Sequence, residues 1–405
     1  MGRQGSPAAA TDRGPWGSVM RRGVVVVSVV SLVLAMLGPA VGAYGAPSGP
    51  PDVGPTTTGP SSAWSGATRI GRGSFGAVAI VFDSADHAHI VADGRSAGRF
   101  GIWYLTDRSG TWTQKRVMAD AAGKYWQDPS ITVDADDRIT IAAWRASGGD
   151  PAASQGIFTV TDRGRARGSF PAVPTQVVAA PAAMPVLKTA GTRLAMAYVS
   201  DLPDVCWPLR AACLPALRFR TGVPGHWTTT TIAQHAVGPS LRLDAQGRAR
   251  IAYATDKDVR YASAGTTTGS FSVTKLPGTS SADDLVALAL DSGDQPSVAW
   301  VHAATPDTIR YARSDGGWGV PITVATAPVF TAVVGIALDG SDVPHILAAG
   351  RSVREETRVG GAFVETILAT GVDAAGGAIR VSASGREIVL WTADSGGLFM
   401  AQRTI

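Results

Sequence analysis

One hairpin pattern recurs seven times in this chain: an apolar run ending near an Asp, a tight polar turn, then a second apolar run ending in an aromatic or Ala. The copies are AIVFDSADHAHIVA from Ala79, ITVDADDRITIAAW from Ile131, PVLKTAGTRLAMAY from Pro185 and LRLDAQGRARIAY from Leu241. LALDSGDQPSVAW from Leu288, IALDGSDVPHILA from Ile336 and IRVSASGREIVLW from Ile379 complete the set. The fullest unit, Pro239 to Pro277, carries four alternating apolar and polar runs with turn residues between them, which reads as four strands. A sheet that small cannot bury its faces alone, so its repetition demands sheet stacked on sheet.

A second marker runs out of step with the first. An aromatic opens each fourth strand at Trp64, Trp112, Phe170, Trp227, Phe271, Trp318 and Phe363. Trp64 precedes the first hairpin, and no such aromatic follows the last. The two ends are therefore complementary, and pairing the strand at 63–70 onto the last three strands closes the series into a ring without exposed edges. The expected fold is all-β: a seven-bladed β-propeller of four-stranded antiparallel blades, closed by the N-terminal strand. The abundance of Gly (48) and Pro (25), concentrated between the alternating runs, fits strand and turn.

The first 43 residues form a different region. Arg21 and Arg22 precede the apolar run Val24 to Leu37, followed by Gly38, Pro39 and the small residues Val41-Gly42-Ala43, the pattern of a secretory signal with cleavage near Ala43. A retained N-terminal anchor is the alternative. Residues 44–62 are a Pro/Gly/Thr/Ser-rich linker, and 63–405 form the propeller. The expected location is secreted or bound to the cell envelope. Most of the net charge of +4 belongs to the first 43 residues, leaving +1 for the remainder. No broad cationic face for nucleic acid is expected, and no membrane span once the signal is removed. A monomer is expected.

In the hairpin turns, the Asp position (Asp83, Asp134, Asp244, Asp291, Asp339) becomes Lys188 and Ser382 in two copies, which reads as a turn cap and not as a ligand. His89 and His345 share one repeat position with Arg250 and Ser297, again a scaffold reading. No cofactor or metal is expected: HExxH, GxSxG and phosphate-cradling glycine motifs are missing from suitable contexts.

Recognition is expected on the face carrying the two-to-three loops, which are uneven. The loop is short in blade 4 (Asp256 to Asp258) but runs Asp93 to Gly101, Arg145 to Gly156 and Ser200 to Ala216 in blades 1 to 3. Long loops over a rigid scaffold are where binding residues concentrate. The candidate binding residues are Arg95, Arg99, Tyr125, Trp126, Asp128, Arg145, Trp207 and Arg210, with Tyr and Trp as flat rings for a pyranose face. Cys206 and Cys213, the only cysteines, are expected to form a disulfide pinning the third loop. Paired carboxylates for a glycosidase would come from Asp93, Asp128, Asp150, Asp201 and Asp204.

The segments VRYA (Val259 to Ala262) and IRYARSDGGW (Ile309 to Trp318), with LTDRSGTW (Leu105 to Trp112) and VTDRG (Val160 to Gly164), resemble the Asp-box propellers of the sialidases and their neuraminidase-repeat relatives. LTDRSGTW keeps Asp107, Thr111 and Trp112 but has Leu105 and Ser109 where Ser and Gly belong. An active sialidase of that kind implies an arginine triad, an Asp acid/base and a Tyr activated by Glu. Only Glu355 and Glu356, beside Arg351 and Arg354, offer a candidate pair for the Glu. The leading expectation is an exported, non-catalytic propeller binding a carbohydrate or an extracellular or cell-envelope protein through the rim of blades 1 to 3; the alternative is a sialidase-like glycoside hydrolase.

Overall fold

The computed structural model describes residues 63–121, 123–147, 154–164, 168–201, 215–223, 225–281, 283–303, 307–327, 331–393 and 396–405. They form 28 strands in seven four-stranded antiparallel sheets, and no helix occurs among them. Blades 1 to 6 each use four consecutive strands, spanning 74–119, 124–178, 182–233, 236–275, 283–327 and 331–370. Blade 7 combines β26 (Ala374–Val381), β27 (Arg386–Ala393) and β28 (Leu398–Thr404) with β1 (Thr68–Gly71) from the other end of the chain. The closing strand is thus four residues long, and Ser65 adds two contacts with Gln402 ahead of it.

The first strand of every blade is innermost. β2 (Ser74–Phe82), β6 (Lys124–Val133), β10 (Ala182–Ala190), β14 (Ala236–Leu243), β18 (Asp283–Leu290), β22 (Thr331–Leu338) and β26 touch one another in sequence, and β26 returns to β2. Each carries a register irregularity near its start, where the chain enters the blade. The apolar positions of neighbouring blades meet in seven separate clusters, so the core is a ring of inter-blade layers.

Three devices repeat between blades. The first is the turn Asp. Asp83, Asp134, Asp244, Asp291 and Asp339 each accept the backbone N–H groups two and four residues ahead, which folds the hairpin turn tightly. In blade 7 the Ser382 hydroxyl accepts the Arg386 N–H instead. The residue after the turn Asp then reaches the next blade: Ser84 to Asp137, Ala245 to Asp294 and Ser292 to Asp342. The accepting Asp sits at positive φ in each case (59°, 62° and 62°), which turns its carboxylate towards the preceding blade.

The third device is aromatic. An edge-to-face pair links the third strand of one blade to the marker aromatic of the next in Tyr104–Phe170, Phe219–Phe271, Tyr261–Trp318 and Tyr311–Phe363, at centroid distances of 5.2 to 5.6 Å. The fourth-strand aromatics are therefore mortar between blades.

Strand register corrects one sequence alignment. Lys188 pairs with Ala195, as Arg242 pairs with Arg250, so Lys188 does not occupy the turn-Asp position; the third inner strand runs on to Ala190, which pairs with Arg193, and the hairpin turns at Gly191 and Thr192. The shared position of His89, Ser297, His345 and Arg250 is confirmed, each lying opposite the next-to-last residue of its inner strand.

Candidate functional site

The two-to-three loop of blade 1 is not a loop. β3 (Ala88–Ser96) and β4 (Arg99–Thr106) stay paired to Ser96 and Arg99, joined by the two residues Ala97 and Gly98 at φ 48° and 75°. Two successive positive φ values make the tight turn whose twist matches the flanking strands. The result is a stiff hairpin standing on the rim. It holds Arg95 and Arg99, both exposed, and places the Arg95 guanidinium 5.1 Å from the centre of the Phe100 ring. Tyr125, half-buried, meets Phe100 edge to face at 6.3 Å. The Arg116 side chain donates to the Phe100 carbonyl from the neighbouring strand, fixing the hairpin's base.

Trp126 lies elsewhere. It is 3% exposed, and its indole N–H donates to the Ala119 carbonyl at 2.9 Å. Its ring packs edge to face on Phe158, and the Arg145 guanidinium stacks over both rings at 5.1 and 4.7 Å. The expectation of Trp126 as an exposed sugar shelf is thus corrected: strand alternation turns Tyr125 outward and Trp126 into the layer between blades 1 and 2. Arg145 is likewise committed to that layer. Trp207, Arg210, Cys206, Cys213, Asp150 and Asp204 lie outside the described residues.

Just inside the rim, two carboxyl groups meet between blades 1 and 2. Asp93, 8% exposed at the far end of β3, accepts the backbone N–H of Asp128 at 3.0 Å. Asp128 sits at the irregularity of β6 with φ 45° and accepts the Trp144 indole N–H at 2.8 Å. Burial raises the Asp93 carboxyl to about 7, with the Asp128 charge adding to the effect. Burial raises Asp128 as well, opposed by its bond from Trp144. Asp201, on the rim of blade 3, is paired with Arg218 at 2.8 Å and held below the usual carboxylate range chiefly by that bond.

The glutamates of the sialidase reading are placed differently from expectation. Glu355 is fully buried in β24 (Ser352–Val359) and joins His345, Glu387 and Arg403 between blades 6 and 7. Arg403 lies 2.6 Å from Glu387 and 3.1 Å from Glu355, while His345 Nδ1 lies 2.9 Å from Glu355. Burial alone would lower the His345 pKa, but its bonds and charge interactions with Glu355 and Glu387 raise it to about 9. His345 and Arg403 thus face the two buried carboxylates, with Asp339 a third 3.6 Å from His345 Nε2, which makes an internal ion network. The cluster has the donor types of a metal site, yet its positive charge is already supplied. Glu356, 2% exposed, is raised to about 7 by burial and by the nearby Glu365 charge, and does not join this network.

The Asp-box segments are structural. Asp107 accepts the Ala88 N–H and pairs with Arg386 of blade 7 at 2.7 Å. Asp162 accepts three backbone N–H groups, from Gly164, Gly168 and Ser169.

No protein-family model and no curated protein matches the chain. Solved structures match at the level of fold. A polysaccharide lyase of family 25, an ulvan lyase, is 12% identical with a TM-score of 0.57, covering 82% of this chain and 94% of its own. A Dyadobacter fermentans protein of unknown function is 11% identical with a TM-score of 0.51, covering 85% and 98%. A Hadza microbial sialidase is 10% identical with a TM-score of 0.52, covering 82% of this chain and 66% of its own. The architecture is therefore a seven-bladed β-propeller similar in fold to carbohydrate-active propellers of the sialidase and polysaccharide-lyase kinds.

Proposed function

We propose that this chain is exported through its N-terminal signal and binds an acidic carbohydrate, without turnover, at the rim hairpin of blades 1 and 2. The observation that carries the reading is the Arg95–Phe100–Tyr125 cluster. Two aromatic rings in fixed mutual orientation lie beside the exposed cations Arg95 and Arg99. Rings of that kind cover the apolar face of a pyranose, and arginine forks pair with carboxylate or sulfate oxygens. The stiff two-residue turn limits the ordering cost on binding. The carbohydrate-active fold neighbours are consistent with such a ligand. The test is an array of acidic and neutral glycans probed with the parent protein and with Phe100→Ala. Binding to acidic glycans that Phe100→Ala abolishes supports the reading; binding only to protein partners, or binding untouched by the substitution, rejects it.

A second reading rests on Asp93. A carboxyl raised to about 7, in contact with a residue bearing a second carboxyl, has the protonation behaviour of a general acid. A glycoside-hydrolase reading would place the reaction there and not at Glu355. Turnover of a fluorogenic glycoside that Asp93→Asn removes would favour it over simple binding.

A further inference from the structure

The inner strands bring together three cations that no acid neutralises. In the register of strand pairing, one position recurs around the central ring: it is Lys188 in blade 3, Arg242 in blade 4 and Arg380 in blade 7. The same position is Val81, Thr132, Ala289 and Ala337 in the other blades, so this layer contains no carboxylate. Blades 3 and 7 are not neighbours. Their side chains can share an environment only across the axis of the ring, and Lys188 is in fact influenced by both Arg242 and Arg380.

Each of the three is intermediate in exposure and lies on an innermost strand. Arg242 donates to the Leu241 carbonyl at 3.1 Å, and neither Lys188 nor Arg380 has a hydrogen bond or ion pair among the described residues. The nearby turn acid Asp244 is already held by Arg248 and Arg250 at 2.7 and 2.8 Å. Enclosure, with the charges of Arg242 and Arg380, lowers the Lys188 pKa well below its ordinary value; enclosure and Arg380 together lower Arg242 to about 9. Three like charges facing one cavity without a counter-charge oppose folding unless something negative joins them.

We infer that the central channel is an anion site in which Lys188, Arg242 and Arg380 together hold a small polyvalent oxyanion of the sulfate or phosphate class. Three donors from three blades match an ion with oxygens on several sides, and two of them bring the planar guanidinium forks that suit such oxygens. The site lies on the ring axis, two residues before the one-to-two turns, and uses none of the rim residues. Its ligand would tie non-adjacent blades together.

The test is calorimetric titration of the purified protein with sulfate, phosphate and acetate at constant ionic strength set by chloride, together with melting curves in the same salts. Saturable binding of sulfate or phosphate is expected, with a rise in Tm of a few °C at about a hundredfold excess over Kd. Lys188→Met and Arg380→Gln should each weaken that binding by about tenfold or more. Each should also melt at or above the parent temperature in chloride alone, because a repelling charge has gone. Two variants at separate blades keep the test open if one fails to fold. Phe100→Ala should leave oxyanion binding unchanged, which separates this site from the rim. Sulfate and phosphate behaving like chloride, binding of acetate alone, or both channel variants binding like the parent would overturn the inference.

Discussion

Ser384 donates a hydrogen bond to Asp86 at 2.6 Å across 298 residues of sequence, joining the last blade to the first. It repeats the clasp seen at Ser84–Asp137 and Ser292–Asp342, so the junction that closes the ring is built like the internal ones. Arg386 strengthens it by reaching both the Asp86 carbonyl and Asp107. Closure therefore rests on two elements, this clasp and the pairing of β1 with β28.

The two can be separated. A chain beginning at residue 73 leaves the edge of β28 unpaired and removes Trp64, whose ring lies 4.5 Å from the Arg403 guanidinium. A chain beginning at residue 63 keeps both. The shorter chain should melt about 4 °C or more below the longer one. Ser384→Ala should cost only about 0.5 to 1 kcal/mol, because its hydrogen bond is exposed. Equal melting temperatures for the two truncated chains would contradict closure by strand exchange as a source of stability.

Two sets of buried groups withdraw stability as pH rises from mildly acidic to basic. Asp93 and Glu356, raised to about 7, and Asp120 and Asp284, raised to about 6, all by burial first, bind protons in the folded state that they release when unfolded. Their folded pKa values exceed the ordinary carboxylate value, so the ionised forms oppose folding and stability is lost between about pH 4 and 7. His345 acts in the next window. Its folded pKa of about 9 lies above 6.5, so its contribution is fully present below 6.5 and disappears as pH rises through 9. That contribution is on the order of 3 kcal/mol. These losses run against Lys188 and His89, whose lowered folded pKa values add stability as pH rises, so the readout is the difference between parent and variant. In denaturant midpoints measured from pH 5 to 9, Asp93→Asn should remove the loss on the acid side and His345→Gln the loss on the basic side; variants whose pH profiles run parallel to the parent's would refute the assignment.

The rim offers a contrast between adjacent residues. Tyr125→Ala should weaken acidic-glycan binding about tenfold or more while shifting Tm little, since the ring is half-buried and peripheral. Trp126→Ala should do the reverse through the fold, removing a fully packed indole from the layer between blades 1 and 2 at a cost of about 3 to 5 kcal/mol. A Trp126→Ala protein that keeps its Tm would contradict the packing described here.

The difference between these neighbours shows where sequence reading reaches its limit. Hairpin repeats and displaced aromatics were enough to specify seven blades and their closure, because both follow from strand alternation and edge pairing. Pro129 marks the irregularity of β6, as Pro185 and Pro239 mark those of blades 3 and 4, but alternation says only that Tyr125 and Trp126 face opposite ways; which of them is buried follows from packing against blade 1. The channel cations were hidden for a related reason. Lys188 looks like a substitute for the turn Asp until strand pairing shows that the inner strand continues past it to Ala190. The His345–Glu355–Glu387–Arg403 network joins residues from four strands in two blades, a proximity that only inter-blade packing creates.

The rim hairpin makes the last prediction. Gly94 and Gly101 face each other across β3 and β4, both at φ 147°. A Cβ on Gly101 would lie 2.0 Å from the Met118 carbonyl oxygen, and one on Gly94 would lie 2.2 Å from the Ser74 carbonyl oxygen. Both obstacles are backbone, which cannot rotate aside, so these glycines let the hairpin pass between its neighbouring strands. Gly101→Ala should destabilise the protein by about 3 kcal/mol or more and displace Phe100 and Arg99 from the geometry proposed for binding. Gly98→Ala is the matched control. Its φ of 75° is in the left-handed region, but a Cβ there meets open space, so a cost of about 1 kcal/mol is expected. Denaturant melts of the two variants, run beside glycan binding, decide the matter: equal stabilities would mean that the hairpin can shift as a whole and that its rigidity does not set the site.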